Sequence, residues 1–219
     1  MAAKIEAIDA DNPDFRILER AAELISEGEV VVCPTDTGYA FAANALDEKA
    51  IVRVFNLKGR SFANPIHVAV SSIDEAKRYA HVSQAVEHLA RSFLPGALTI
   101  VLPKKDIIPS LLVSGLDTIG IRIPDNRVII DLATMTSLPI TTTSANISGS
   151  PTPYTAEEVV DQLGETIKDV ALVLDQGSLY PPELSTIIDL TVSPPQLLRQ
   201  GCVSWEKVMQ AWQSRQDSG

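Results

Sequence analysis

The sequence predicts an α/β domain in which helices flank a single twisted, mixed, open sheet. Apolar, β-branched stretches bounded by turn residues alternate with amphipathic helix patterns along the chain. Some predicted strands follow one another as in hairpins, which favours a mixed sheet over a purely parallel one. The chain shows no internal repeat and no change of composition that would mark a boundary. We therefore expect one domain over residues 1–219, with its core at about 14–201.

Helix starts and ends are well marked by capping residues. Asp47 can cap a helix whose apolar residues keep helical spacing, and Gly59 can leave helical geometry at its end. Ser72 and Thr155 each stand three residues before a glutamate, which is the capping-box pattern. The predicted helices begin near residues 14, 47, 72, 83, 128, 155 and 205, with a short helical turn at 107–113. The predicted strands include residues 30–33, 97–102, 118–123, 139–143, 170–174, 185–190 and 196–200.

Composition excludes several classes of protein. The 219 residues are 45% apolar, which argues against disorder, and the net charge of −10 argues against a protein that coats nucleic acid by bulk electrostatics. No apolar run reaches about 18 residues, so we expect no membrane span. The N-terminal segment lacks an apolar signal core, so we expect a cytoplasmic protein. Cys33 and Cys202 are too few for a disulfide framework or a zinc site.

Several common catalytic signatures are missing from the sequence. It contains no P-loop, no dinucleotide-binding glycine motif, no nucleophile elbow and no zinc-protease helix motif. His67, His81 and His88 do not have metal-ligand spacing, and the last two are typical of a protein surface. His67 directly precedes a predicted strand, just after a cationic loop. For His67 the functional and the structural interpretations remain equally open.

Four polar clusters lie at strand or helix ends, at residues 35–37, 58–60, 141–146 and 185–186. Ligands of open α/β sheets bind at the carboxyl ends of strands, so these clusters are candidates for one site. Threonine is also simply a good strand former. Lys58 and Arg60 could equally well be surface cations that balance a helix dipole. We expect Lys58 to be such an exposed cation, whose loss leaves the fold intact.

Arg122 and Arg199 interrupt otherwise apolar predicted strands. A charge in such a strand is costly unless it is paired or faces a ligand, so an internal ion pair is the alternative interpretation. With Lys58 and Arg60 they would give a cleft four cations, beside many hydroxyl groups and no obvious nucleophile or general base. Such a cleft would act by positioning anions and stabilising charge, as phosphoryl and nucleotidyl transfer often require.

Six segments together resemble the YrdC/TsaC family over residues 17–201. They are PTDTGYAFAANAL, KGR followed by NPIHV, LPGALTIVLP, TIGIRIP, TTSANISGSPTP, and STIIDLT with LLRQG. Members of this family are L-threonylcarbamoyladenylate synthases. The pair formed by the K-x-R and S-x-N motifs is quite specific, and the chain is similar to the short, single-domain form.

This resemblance implies a reaction of L-threonine, bicarbonate and ATP that forms threonylcarbamoyl-AMP and releases pyrophosphate. Mg²⁺ should accompany the ATP. The product would pass to a tRNA threonylcarbamoyl-transferase complex. Family members bind double-stranded RNA, which the net charge of −10 should here make weak or confined to the cleft.

The resemblance also implies two sets of site residues. Lys58 and Arg60 would be the catalytic cations. The ATP-binding set comprises Lys58, Arg60, Thr118, Ser144, Asn146, Thr152 and Arg199. The threonine-binding set comprises Thr35, His67, Arg122, Thr142 and Ser185, with Thr142 acting through its backbone.

The chain departs from the family pattern in two segments. Before the S-x-N motif the family usually has P-S-A-N, where this chain has T-S-A-N at residues 143–146. The family usually has T-V-Y-G-L-G where this chain has T-G-Y-A-F-A at residues 37–42. The Gly-Tyr-Ala form is similar to YciO-type paralogues, which lack an intact K-x-R and S-x-N set. Because this chain keeps both motifs, the synthase is the favoured interpretation. The alternatives are a non-catalytic RNA- or ribosome-binding paralogue and the carbamoyl-transfer domain of a hydrogenase-maturation protein.

Overall fold

Eleven strands form two mixed sheets in the computed structural model, which describes residues 3–179 and 184–214. The first sheet has the order β1-β9-β2-β3-β8, with β1 at Lys4–Ala7, β9 at Leu172–Asp175, β2 at Val31–Thr35, β3 at Gly38–Ala42 and β8 at Thr143–Ser144. The second has the order β11-β10-β5-β6-β4-β7, with β11 at Gln196–Arg199, β10 at Thr186–Asp189, β5 at Leu98–Pro103, β6 at Thr118–Arg122, β4 at Val68–Ala69 and β7 at Ile140–Thr141.

Seven α-helices and one 3-10 helix (Gly164–Asp169) accompany the sheets in the described part of the chain. The α-helices are α1 (Phe15–Ser26), α2 (Glu48–Lys58), α3 (Ile73–Ala76), α4 (Gln84–Phe93), α5 (Arg127–Thr136), α6 (Ala156–Leu163) and α7 (Trp205–Ser214). No helix among the described residues is long and apolar enough to cross a membrane.

The predicted helix caps are confirmed. Asp47 accepts a hydrogen bond from Lys49 N at 2.8 Å at the start of α2, and Gly59 follows that helix with a left-handed φ of 54°. Ser72 and Thr155 accept from the backbone N of the glutamates three residues later. These caps depend on neighbours in the sequence, so the sequence alone could locate them.

The mixed α/β class is confirmed, but the strands belong to two sheets where the sequence predicts one. The predicted strand at 139–143 divides at Thr142: β7 pairs with β4 in the second sheet, and β8 pairs with β3 in the first. The chain therefore changes sheets within five residues. The predicted helical turn at 107–113 is a series of turns, and the edge strand β1 was not predicted.

Strand β2 has a core on each of its faces. Val30 and Val32, at its start and on one face, join the larger apolar cluster, which also contains residues of the second sheet. Val31 and Cys33 face the other way and join a cluster with residues of α1 and α5. Because successive side chains of a strand alternate between faces, a strand buried on both sides carries an unbroken apolar run. The first sheet thus lies between the two helices and the second sheet.

The register of the second sheet decides which side chains share its site-bearing face. Ile187 of β10 is paired with Thr99 of β5, and Arg122 of β6 is paired with Ala69 of β4. Val101 is paired with Gly120, so continuing this antiparallel register by two residues places Thr99 beside Arg122. The same alternation places Gly120 on the face that carries Arg122. A row formed by Ile187, Thr99, Arg122 and Ala69 therefore crosses four neighbouring strands.

Candidate functional site

A cavity of about 440 Å³ lies where the β2–β3 turn meets the polar face of the second sheet. Three guanidinium groups, those of Arg60, Arg122 and Arg199, lie in its wall. Hydroxyl and amide side chains supply most of the rest, and none of the described residues that line it is acidic. The other polar lining side chains are Thr35, Thr37, Tyr39, His67, Thr99, Thr142, Thr143, Ser144, Asn146, Ser150, Thr152 and Ser185. The composition of the cavity is therefore suited to anionic ligands.

The β2–β3 turn forms one wall of the cavity. Thr35 Oγ1 donates to Gly38 O at 2.6 Å and accepts from Thr37 N at 3.1 Å. The hydroxyl group of Thr35 thus bridges the two ends of the turn. Gly38 has a φ of 127°, and a Cβ there would lie 2.5 Å from Thr152 Cγ2. Gly38 thus leaves room for Thr152 at the cavity wall.

Arg122 is held by the same turn. Its side chain is 5% exposed, Nη1 donates to Thr37 Oγ1 at 2.7 Å, and Nη2 forms an ion pair with Asp36 Oδ1. The buried Nε has no hydrogen-bond partner among the described residues. Burial lowers the pKa of Arg122, and the Asp36 carboxylate opposes that shift. The internal ion pair that the sequence offered as one interpretation of Arg122 is therefore present, and Arg122 also lines the cavity.

Arg199 and Ser185 form a second polar unit. Arg199 Nε and Nη2 both donate to Ser185 O, at 3.0 and 2.8 Å, and Nη2 also donates to Ser185 Oγ at 2.8 Å. The Ser185 hydroxyl lies 3.2 Å from Thr99 Oγ1 in the fully buried middle of the sheet. Burial lowers the pKa of Arg199, and Arg122 adds to the effect. These contacts fix one guanidinium edge against β10 and aim the group at the cavity.

His67 directly precedes β4 and lines the same cavity as the three arginines. A Cβ on Gly120 would lie 2.4 Å from His67 Cδ2, so the imidazole packs flat against the glycine backbone of β6. Burial lowers the pKa of His67 to about 4, and repulsion from Arg199, Arg60 and Arg122 acts in the same direction. At neutral pH the imidazole is therefore uncharged and can accept a hydrogen bond.

Lys58 is not the exposed cation that the sequence suggested, since its side chain is 2% exposed. Its Nζ donates to Ser144 O at 2.5 Å, Asn146 O at 3.2 Å and Asn146 Oδ1 at 2.9 Å, and lies 5.8 Å from the Phe41 ring. The expectation failed because Lys58 is the last residue of α2, whose end is covered by the segment after β8. Lys58 therefore positions that segment.

The protonation of Lys58 reflects two opposing effects. Burial lowers its pKa to about 7, and repulsion from Arg60 contributes further. Three acceptor oxygens surround Nζ, which matches the three N–H donors of an ammonium group. Hydrogen bonding to the charged form favours it, so we assign the ammonium form.

A second cavity of about 340 Å³ adjoins the first and shares Arg60, Ser144 and Asn146 with it. Lys58 lines this second cavity. Ser144 Oγ donates to Asn146 Oδ1 at 2.6 Å, and Asn146 Nδ2 donates to Ser150 O at 2.5 Å. Arg60 Nη2 donates to Pro65 O at 3.1 Å. Lys58 thus joins the K-x-R motif to the S-x-N motif by hydrogen bonds, and Arg60, Ser144 and Asn146 line both cavities.

The structure brings together eleven of the twelve predicted site residues. Ten line the larger cavity, namely Thr35, Arg60, His67, Arg122, Thr142, Ser144, Asn146, Thr152, Ser185 and Arg199, and Lys58 lines the smaller one. Thr142 N donates to His67 O at 2.9 Å, so that backbone donor is already used. Thr118 shares the polar face of β6 with Arg122 but lies four residues away and lines neither cavity.

Several lining or supporting residues were not predicted individually, among them Thr37, Thr99 and Gly120. Thr37 belonged to a recognised polar cluster, so its position carried some signal. Thr99 lies in the strand Leu98–Pro103, where a threonine is an ordinary strand former. Gly120 carries no side chain, and only the tertiary contact with His67 shows its importance.

We expect His67 to make stability depend on pH. In the unfolded chain its pKa is about 6.5, so between about pH 6.5 and 4 the unfolded state binds more protons and stability falls as pH falls. Wild type should lose up to about 3 kcal/mol more of its unfolding free energy over this window than His67→Gln. Denaturant unfolding at a series of pH values measures the difference. His81→Gln, which removes an exposed imidazole, is the control. If the difference in unfolding free energy between wild type and His67→Gln stayed constant over this pH range, the lowered pKa of His67 would be contradicted.

The fold and the site define a class of protein: a mixed α/β domain with a cationic cleft for anionic ligands. A family model matches residues 23–201, the Sua5/YciO/YrdC domain, described as telomere recombination. This match covers most of the 219 residues. The chain therefore belongs to the Sua5/YciO/YrdC family.

Relatives and solved structures agree with this family. The threonylcarbamoyl-AMP synthase of Pyrococcus abyssi is 39% identical over 189 residues, which are 86% of this chain and 55% of that protein. The crystal structure of P. abyssi Sua5 complexed with L-threonine superposes with a TM-score of 0.89 at 36% identity, over 94% of this chain and 60% of that one. Escherichia coli YciO superposes with a TM-score of 0.83 at 28% identity, over 92% and 97%. The chain spans little more than half of the P. abyssi synthase.

Proposed function

We propose that the chain is an L-threonylcarbamoyladenylate synthase. The observation that carries the proposal is the pair of adjoining cavities, with three guanidinium groups, a buried ammonium group and no acidic lining residue among those described. Such a site suits two different anions at once, an amino-acid carboxylate and a triphosphate. The similarity to the P. abyssi synthase, and to a Sua5 structure complexed with L-threonine, supports the same conclusion.

The amino acid would occupy the part of the larger cavity next to the β2–β3 turn. Arg122 would bind its carboxylate, while Thr35, Ser185 and the neutral His67 imidazole would bind its other polar groups. Thr142 would line this pocket beside His67. Hydroxyl partners suit threonine because its side chain is itself a donor and an acceptor.

ATP would lie along the K-x-R and S-x-N unit. Arg60 and Arg199 would contact the phosphates, and Lys58 would hold the backbone that carries Ser144 and Asn146. Thr152 would contribute a hydroxyl from the opposite wall. Thr118 would contact the nucleotide only if ATP extends along β6 beyond the larger cavity. The described residues form no cluster of three or more His, Cys, Asp and Glu side chains, so Mg²⁺ would be held chiefly by the triphosphate oxygens.

The reaction would proceed in two bond-forming steps. The threonine amine adds to the carbon of CO₂, formed by dehydration of bicarbonate, and loses a proton to give a carbamate. A carbamate oxygen then attacks the α-phosphorus of ATP, and the bond to the bridging oxygen breaks to release pyrophosphate. The surrounding cations would offset the negative charge gathered in this step, while the cavity walls hold the two reactants in line.

Pyrophosphate release tests the proposal directly. Wild-type protein with ATP, Mg²⁺ and bicarbonate should release pyrophosphate only when L-threonine is present, because the carbamate is the nucleophile. D-Threonine and omission of bicarbonate serve as matched controls. Release that does not depend on L-threonine would assign the cavity to another substrate.

The second candidate is a non-catalytic YciO-type protein that binds double-stranded RNA. It is favoured by the likeness to YciO and by Gly38, which makes room for Thr152. A well-folded protein that binds double-stranded RNA and releases no pyrophosphate would establish it.

For the synthase we propose a single cytoplasmic domain that passes its product to a tRNA threonylcarbamoyl-transferase complex and binds RNA weakly.

A further inference from the structure

Asp36 is a site-adjacent carboxylate to which the proposed function gives no role. It is the first residue of the β2–β3 turn, its side chain is 12% exposed, and it is not among the residues that line the cavity. One carboxylate oxygen pairs with Arg122 Nη2, and the other accepts from Asp125 N at 3.1 Å. Asp36 therefore ties the turn of the first sheet to β6 and to the segment that leads into α5.

Arg122 differs from the other two cavity arginines in this respect. Arg60 and Arg199 have carbonyl or hydroxyl oxygens as partners, whereas Arg122 has a carboxylate. Consecutive residues of one turn, Asp36 and Thr37, bind its two terminal nitrogens. This fixes both the position and the plane of the guanidinium group. An arginine has five N–H donors, so the two bonds leave donor capacity for a ligand.

Stability alone is a poor reason for this arrangement. A buried ion pair must overcome the loss of hydration of both charges, and well-packed apolar residues often do as well. Arg122 and the neighbouring Arg199 also repel each other. A fixed carboxylate behind the guanidinium group offsets that repulsion and holds the group at the wall.

We propose that Asp36 is a positioning residue that presents the Arg122 guanidinium group to the carboxylate of the amino-acid substrate. The inference rests on the proposed function, since it assigns the amino-acid half of the site. Asp36 acts through Arg122 and does not itself contact the substrate. It should therefore govern the requirement for L-threonine and leave the requirement for ATP unchanged.

Steady-state pyrophosphate release by Asp36→Asn tests this role. Asparagine keeps the size of the side chain and one acceptor oxygen but removes the charge. We expect the KM for L-threonine to rise at least about tenfold, the effect of losing one charge-assisted hydrogen bond. The kcat and the KM for ATP should stay within about threefold. Asp131→Asn is the matched control, because Asp131 pairs with the exposed Arg127 on α5 and should change none of these values.

A double-mutant cycle shows whether the effect passes through Arg122. In an Arg122→Lys background the planar guanidinium group that Asp36 orients is absent. Asp36→Asn should then change the KM for L-threonine by less than about threefold. Thr37→Val removes the other partner without changing charge and should also raise that KM. If Asp36→Asn does not fold, Asp36→Glu, which keeps the charge but moves the carboxylate away from Arg122, decides the question by the same measurement.

Two results would overturn the inference: an unchanged KM for L-threonine in the folded variants, or an equal effect of Asp36→Asn in the Arg122→Lys background. A fall in kcat together with a rise in both KM values and a lower Tm would assign Asp36 a structural role. That result would overturn the inference too. If wild type shows no dependence on L-threonine, the proposed function fails and this inference fails with it. Wild-type dependence with an unaffected Asp36→Asn variant overturns this inference alone.

Discussion

Lys58→Ala is expected to abolish threonine-dependent pyrophosphate release and to destabilise the fold. The substitution removes the donor for Ser144 O, Asn146 O and Asn146 Oδ1, so the S-x-N segment loses its anchor and the phosphate-binding unit its geometry. We expect at least about a hundredfold loss of kcat, as for removal of a group that stabilises transition-state charge. Because buried oxygens lose their partner, the unfolding free energy should fall by about 2 kcal/mol. Pyrophosphate assays and denaturant unfolding measure the two effects.

Lys49→Ala is the matched control for this variant. Lys49 lies on the same helix, at its exposed start, and should leave both quantities within error. Normal turnover by Lys58→Ala would show that the S-x-N segment does not need its lysine anchor. Lost turnover with unchanged stability would restore the sequence-based interpretation of Lys58 as an exposed cation.

Arg122→Ala is expected to raise the requirement for L-threonine far more than that for ATP. Its guanidinium group is the cation of the proposed amino-acid pocket, while Arg60 and Arg199 would remain to bind phosphate. We expect the KM for L-threonine to rise by about a hundredfold and the KM for ATP by less than about threefold. Initial rates with each substrate varied in turn provide both values.

The same substitution should reduce stability, because Asp36 would stay in a largely buried position without its partner. Removal of one member of a buried pair costs about 3–5 kcal/mol. Arg127→Ala, which removes an arginine of an exposed pair on α5, should cost far less. Equal effects of Arg122→Ala on the two substrates would place this arginine elsewhere in the mechanism.

Local features of the fold were predictable from sequence, whereas features that depend on distant partners were not. Asp47, Ser72 and Thr155 act on neighbours within a few residues, so their caps could be recognised from spacing. The division of 139–143 between two sheets depends on strands at positions 38–42 and 68–69, far away in the chain. Propensity gives no sign of such a change of partners.

The candidate site shows the same division. Polar residues at strand ends and arginines in apolar strands were visible as anomalies, because each breaks a local rule. The burial of Lys58 could not be seen, since it results from the segment at 144–148 that covers the end of α2. The support that Gly120 gives to His67 could not be seen either, because it depends on one close approach between two strands.

The short crossing at Thr142 also limits how substrates can reach the cavity. Thr141 Oγ1 donates to Phe41 O at 2.9 Å and accepts from Ala43 N at 3.0 Å, while Thr141 itself belongs to the second sheet. A hinge that swung the two sheets apart would have to break these two bonds. These two bonds thus hold the two sheets together at the back of the cleft. The substrates of the proposed reaction would then have to reach the cavity from a side other than this crossing.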